Sequence, residues 1–521
     1  MRRPLRLLGL LALAATCWPV ASASALSYPV TTTADSDAKG TLRGSIKEAN
    51  AHTGTDSIPI EVTGTIELAS ELPGIADDVT IAGPGAGSLT VRRKESAPPF
   101  SVLRVFGSTA TVSGITVSGG NAVTGAGILN GSTADLTLVR VVVTGNEALA
   151  ESGGLAGGGG IFSNGSLTVR ESSISGNGST ARGGEENTAA GGGIESEGLL
   201  FVERSTISDN FVQALGEGGA RAEAVGGGLA IASGSAFVEE STISGNTVMA
   251  AEGADFTFAL GGGIRGSNLN VISSTITGNI ADIDDSVSLL RDVGGDNLAI
   301  SSTSPLRNSI VADPQGEGEN CADPTLSAGF NLDEDGSCGF GKATDLVGVI
   351  AGVDPVLKNN GGPTPTHALF ENSPALDRGN SFGSAVDQRG LPRPSDFPAI
   401  GNVEGGDGSD IGAFELQAPA APQVQVTSGP SDRQAPNTRI VSGPPRNTFK
   451  RLAKFRFASS EPQSTFQCKL DKQRWRGCSN PFKRKVKAGA KHVFKVRAID
   501  RFGNVDPTPA RFGWRVKKIV G

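Results

Sequence analysis

The sequence predicts an all-β chain, a right-handed parallel β-helix followed by a small β-sandwich, and three observations carry that expectation. First, one unit recurs: Gly191-Gly-Gly-Ile194, then Leu199–Val202, then Ser205-Thr-Ile-Ser-Asp-Asn210. The same order returns at Ile161/Leu167–Val169/Ser172–Asn177, Leu229/Ala236–Val238/Ser241–Asn246 and Ile264/Leu269–Val271/Ser274–Asn279. A looser copy has Ile128, Leu136–Leu138 and Val141–Asn146. The closing asparagines, Asn146, Asn177, Asn210, Asn246 and Asn279, stand 31, 33, 36 and 33 residues apart. Such a period belongs to stacked units, none of which can bury its own apolar face. Second, the apolar pieces are short and alternate with period two, as in Ser166-Leu-Thr-Val169, which suits strands rather than helices. Third, 73 of 521 residues are glycine, which suits tight corners and close backbone approach.

Three apolar pieces per unit give three strands per turn, with the segment between each asparagine and the next glycine triplet left as a loop. Asparagine tolerates left-handed corners and can bond along the column through its amide. The five asparagines are therefore expected to form a ladder inside one corner. The loops carry Glu147, Glu151, Glu185, Glu186, Glu217, Glu223, Glu252 and Asp255, which would line one acidic face, either a solubilising edge or a cation- or ligand-binding surface.

At the N-terminus, Arg2, Arg3 and Arg6, a Leu/Ala run and Ala21-Ser-Ala-Ser-Ala25 read as a secretory signal peptide over residues 1–25. No later apolar run is long enough to cross a membrane, so the chain is expected to be secreted, extracellular or at the cell surface. Residues 26–95 hold an N-terminal cap and the first rungs. An open solenoid end exposes strand edges and apolar interior. A helix over Thr41–Asn50, with Leu42, Ile46 and Ala49 on one face, is the expected cover. Residues 96–310 are the repeats, 311–417 the last rungs with a disulfide-stapled cap, and 418–435 a linker rich in Pro, Ala and Gln. Residues 436–521 hold short alternating strands of a small antiparallel sandwich.

Without Cys17 of the signal, four cysteines remain, Cys321, Cys338, Cys468 and Cys478, in two local pairs that read as disulfides in an exported chain. Zinc would need tighter spacing or nearby histidine, and the chain has three histidines. The net charge of −7 hides a division: residues 436–521 hold 22 Lys and Arg against 4 Asp and Glu. An acidic column is joined to a basic module.

The segment Thr41–Asn50, the strands Ile66–Leu68 and Leu72–Ile75, and Gly83-Pro-Gly-Ala86 resemble the N-terminal domain of bacterial CSLREA-type surface proteins, with Gly40-Thr-Leu-Arg-Gly-Ser45 standing where that motif falls, without its Cys. The series Asn308-Ser-Ile-Val311, Asn320-Cys321, Gly329–Phe340, Asn360–Leu369, Ser373–Gly379, Asp387–Gly390 and Asp410–Glu415 is similar to the choice-of-anchor region of such proteins. The resemblance implies a right-handed β-helix at the cell surface, followed by an anchoring element. In that place, Ser459-Ser-Glu-Pro462, Phe466–Asp471, Cys478 and Val496–Asp506 resemble bacterial Ig-like modules.

Pectin-active enzymes share the β-helix, so catalysis has to be weighed. Glycoside hydrolysis needs two carboxylates flanking the bond, and polygalacturonase-like enzymes carry a Gly-His-Gly signature. Here residues 121–279 contain no histidine, and Asp284-Asp285 stands alone. No catalytic, cofactor-binding or metal-binding residue is assigned. Asn331-Leu-Asp-Glu-Asp-Gly336 matches half a calcium loop, but Lys342 stands where a bidentate Glu would close it, which excludes an EF-hand and leaves a polar turn as the expectation, with a looser Ca²⁺ site as the alternative. Lys483-Arg-Lys-Val-Lys487 and Phe449–Lys454 alternate bases with apolar residues, a pattern that on strands presents charge to anionic polymers. An export signal and the lack of a reading motif argue against a specific nucleic-acid partner. The expected role is a spacer, adhesin-like or glycan-binding column attached to envelope polysaccharide; the alternative is a polysaccharide lyase or glycoside hydrolase.

Overall fold

The computed structural model describes residues 25–216, 221–251, 255–284, 290–316, 318–418 and 434–518. The expected signal peptide before Ala25, most of the linker, and Glu217 and Glu252 lie outside them. Helix α1 (Leu42–Asn50) covers the N-terminal end. The Thr41 hydroxyl caps it by accepting from the Gly44 N–H at 3.0 Å, and Leu42, Ile46 and Ala49 are buried in the same core as the column. Arg43 fastens the helix down: it pairs with Asp35 at 2.7 Å and donates to the carbonyls of Ser70 and Glu71 at 2.7 and 2.6 Å.

Behind this cap the chain winds into a parallel β-solenoid. Among the described residues, three walls hold ten, eleven and seven strands. The first contains Ser166–Arg170 and Leu199–Glu203, the second Ser173–Ser175 and Thr206–Ser208, the third Ile161–Ser163 and Ile194–Ser196. Register keeps like on like: Ile174 lies under Ile207, Ile243 and Ile276, and Ile161 under Ile194, Leu229 and Ile264. All eight are fully buried. Each is worth roughly 1.5–3 kcal/mol of transfer free energy, and none could be buried by one rung alone.

The expected loops are not loops. Between each closing asparagine and the next glycine triplet the chain runs outward and back as two further strands, for example Phe211–Leu215 and Arg221–Val225. Stacked, these make two more parallel walls, of six and five strands among the described residues, so the turns that carry both have five strands rather than three. The two walls form a fin with its own core of Ala148, Ala150, Ala214, Ala222, Ala224, Ala250 and Ala259. Alanine explains the miss, because it is depleted in strands and reads as weakly apolar. It also explains the fin, since facing strands bring Cα atoms within 8 Å, closer than the ~10 Å usual between packed sheets. Nor is the fin's surface uniformly acidic. Arg182 pairs with Glu151 and Arg221 with Glu223, both at 2.7 Å, and the exposed Phe256 stands opposite Arg221 on the next strand.

After the last rungs, residues 351–416 run back along the second wall. Pro365 accepts from Thr206 at 2.6 Å, Gln388 from Thr242 at 2.6 Å, and the Ala413 N–H donates to Thr275 at 3.0 Å. Arg393, fully buried, donates to Glu240 at 3.0 Å and to Glu415 at 2.9 Å. Residues 438–516 form a separate antiparallel region of two sheets, with three and five strands. Phe455 and Phe457 of one sheet meet Phe494 and Trp514 of the other, the Phe455 and Phe494 rings stacked at 4.1 Å.

Candidate functional site

The five closing asparagines are buried at one corner, linked amide to amide. Nδ2 of Asn146, Asn177, Asn210 and Asn246 donates to Oδ1 of Asn177, Asn210, Asn246 and Asn279 in turn, each at 2.9 Å. The same oxygens accept backbone N–H groups, as from Asn177 to Asn210 at 3.0 Å. The ladder extends past the repeats: Asn279 donates to Asn297 and Asn297 to Asn320, both at 2.7 Å, and Asn320 to Asp333 at 3.0 Å. Asn297 stands where lower rungs carry the third glycine of the triplet, pairing across from Gly263. The extension is hidden in the sequence because the spacing there shortens. A second ladder runs through the serines that open the second wall. Each backbone N–H of Ser172, Ser205, Ser241 and Ser274 donates to the hydroxyl of Ser205, Ser241, Ser274 and Ser309, at 3.1–3.2 Å.

Cys321 bonds Cys338, and Cys468 bonds Cys478. Inside the first loop, Asp333 accepts from Asn320 and the Cys338 N–H, and Asp335 from Ser337 and the Asn320 N–H. Those carboxylates are engaged by donors of the protein itself. Among the described residues no group of three His, Cys, Asp or Glu could hold a metal ion, and no helix is long and apolar enough to cross a membrane. His367 is buried in the returning segment; its Nδ1 meets the Asp354 carbonyl at 2.6 Å and its Nε2 the Ser244 hydroxyl at 2.7 Å. Nδ1 must donate to a carbonyl, so Nε2 accepts, and burial holds the ring's pKa down.

One carboxyl escaped the sequence reading. Glu195 projects from the third wall into the root of the fin, where a side chain on Gly157 would overlap its Oε2. It is 2% exposed, and Oε2 has no hydrogen-bond partner among the described residues. Burial, with Glu197 adding to it, pushes the carboxyl up to about 8. Such a group could hold a proton at neutral pH, but it lies too deep to reach a polymer chain.

The exposed chemistry lies on the sandwich. Strand Leu452–Ser459 alternates, sending Ala453, Phe455 and Phe457 inward and Lys454 and Arg456 outward. Lys454 stands directly opposite Lys483 on Phe482–Lys485. On the other sheet, Lys469, Lys495 and Arg511 stand opposite one another across three neighbouring strands, and Lys491 opposite Arg515. Like charges facing across a strand pair are destabilising. No ion pair to Lys454, Lys469, Lys483, Lys495 or Arg511 occurs among the described residues. Beside that row, Arg497 lies over the Trp475 ring at 4.6 Å. The row across three strands was out of reach of the sequence, since it depends on pairing register between distant segments.

No family model matches the sequence, and no curated protein matches it. Among solved structures, the A-module of Azotobacter vinelandii mannuronan C-5 epimerase AlgE4 matches 56% of this chain and 92% of its own, at 12% identity and a TM-score of 0.21. A likeness this loose carries nothing about function.

Proposed function

We propose that the chain is an exported surface protein of the CSLREA and choice-of-anchor kind, a non-catalytic column held to anionic envelope polysaccharide by its basic C-terminal sandwich. The observation that carries this reading is the row Lys469, Lys495 and Arg511, kept side by side without a carboxylate between them. A linear polyanion relieves that repulsion, and attraction of this kind is strong in low salt and screened in high salt. The two disulfides suit an extracellular setting. The second wall, an obvious place for a sugar chain, is covered from Thr206 to Thr275 by the protein's own returning segment.

The test is retention of the whole protein on immobilised uronic-acid or teichoic polymers against neutral glucans, with new reducing or unsaturated ends measured in the same tubes. Retention on the acidic polymers, lost at 1 M salt and in K469S/K495S/R511S, is expected. Equal retention on neutral glucans, or none, rejects the attachment role. Formation of new ends would instead support the lyase or hydrolase reading.

A further inference from the structure

The C-terminal end of the column is where the sandwich touches it. There the chain begins one more fin rung and abandons it. The Gln315 N–H donates to the Asn279 carbonyl at 3.1 Å, the bond that Ile280, Thr247 and Phe211 make to Asn246, Asn210 and Asn177 on lower rungs. By Cys321 the chain is back on the third wall, paired with Leu298. The abandoned rung leaves main chain without partners: among the described residues, no backbone N–H donates to the carbonyls of Pro314, Gln315 or Gly316. All three are taken by arginines of the sandwich. Arg476 donates to Pro314, and Arg484 donates to Gln315 and, at 3.1 Å, to Gly316.

Beneath these carbonyls lie acids. Asp296 accepts from the N–H groups of Ala281, Gly316 and Gly318, holding the abandoned rung in place. The Asp313 N–H donates to Glu334 at 3.2 Å, while Oδ1 of Asp313 has no hydrogen-bond partner among the described residues. Burial, with Glu334 adding to it, pushes Asp313 up to about 7 against the pull of Arg476 and Arg484. Carbonyl oxygens over buried carboxyls make a seat for guanidinium groups, and Arg is the side chain whose fork suits it.

Both arginines sit on short edge strands of the sandwich, Arg476–Gly477 and Phe482–Lys485, so the outer faces of its two sheets are not needed for this contact. On Phe482–Lys485, Arg484 turns to the column while Lys483 is exposed. The docking is separate from the polyanion face and does not depend on it.

We infer that the end of the column at Pro314–Gly316 is a docking seat for this sandwich that a second copy of the chain can fill with its own Arg476 and Arg484. Charge complementarity selects the occupant, because the seat offers carbonyls and acids and the sandwich edge offers guanidinium groups. Chain length permits it. The 18 residues from 418 to 435 reach about 60 Å when extended, enough to serve a neighbour's seat. In one isolated chain the tethered sandwich wins by effective concentration. Where chains are crowded on a surface, exchange links column to column.

Two full-length variants separate the halves of the seat. R476E/R484E keeps the seat and spoils the sandwich edge; D313K/E334K keeps the edge and spoils the seat. Each alone is expected to be a folded monomer with a larger scattering radius than the wild type, its sandwich released. Mixed at equal concentration they are expected to form a 1:1 complex of twice the mass by sedimentation, dissolved by 1 M salt. Two released variants that stay monomeric when mixed overturn the inference. An unchanged scattering radius in R476E/R484E also overturns it, since the arginines then do not hold the sandwich. D313N/E334Q, which keeps shape and removes charge, is run beside D313K/E334K so that damage to the column end is told apart from loss of the seat.

Discussion

A Cβ placed on Gly193 would stand 2.9 Å from Nδ2 of Asn210 and 2.6 Å from the Gly228 carbonyl oxygen. The third glycine of each triplet is therefore the room in which the asparagine ladder stands. Gly193→Ala is expected to destabilise the column by about 1–3 kcal/mol, the usual range for overpacking. Gly87→Ala, where a Cβ meets nothing within 4 Å, should stay within about 0.5 kcal/mol of wild type. Urea unfolding of both variants checks the contrast.

Asn210→Ala should be costlier than its lost contacts suggest. It removes the acceptor used by both the backbone N–H and the side-chain amide of Asn177, leaving two buried donors unpartnered. A loss of roughly 2–4 kcal/mol follows from one to two kcal/mol per stranded group. The same denaturant titration measures it, and a loss below that of an exposed Asn→Ala control would argue that the ladder is ornamental.

Glu195 gives the column a pH dependence of known sign. Its folded pKa, about 8, lies above the ordinary 4.5. The folded state therefore binds the proton more tightly, and its contribution is full below pH 4.5 and lost as pH rises towards 8. Stability of the wild type relative to Glu195→Gln should fall across that window and level off above it. A difference independent of pH would mean that folding leaves this carboxyl's pKa unshifted.

Arg393→Leu should detach the returning segment before it unfolds the column. The substitution strands Glu240 and Glu415, whose carboxylates face Arg393 in a site it shares with the Gly412 carbonyl. Breaking a buried pair on one side costs about 3–5 kcal/mol. Faster proteolysis within residues 351–416, with the β signal in circular dichroism largely kept, is the expected result.

The solenoid was legible because its inward positions carry Ile, Leu and Val at fixed intervals, and the corner because asparagine closes each unit. The fin was not legible. Ala222 and Ala224 alternate with Arg221 and Glu223 in a strand's rhythm, but alanine's small apolar surface gives that rhythm little weight. Asn297 and Asn320 were missed because they join the ladder from a glycine position rather than from the repeat's own closing place. On the sandwich, the alternation around Lys454 and Lys483 could be read from each strand alone, whereas the Lys469, Lys495 and Arg511 row exists only once distant strands are paired. Glu195 gave no signal, since its burial comes from the fin's root folding over it.

The returning segment has a mechanical consequence. Its bonds to Thr206, Glu240, Ser244, Thr275 and Asn308 are spread over several rungs. Tension entering through residue 418 and directed along the column would load these bonds together, as shear, rather than peel the last rung first. A protein tethered by its C-terminal module under flow would yield only when many of these bonds fail together.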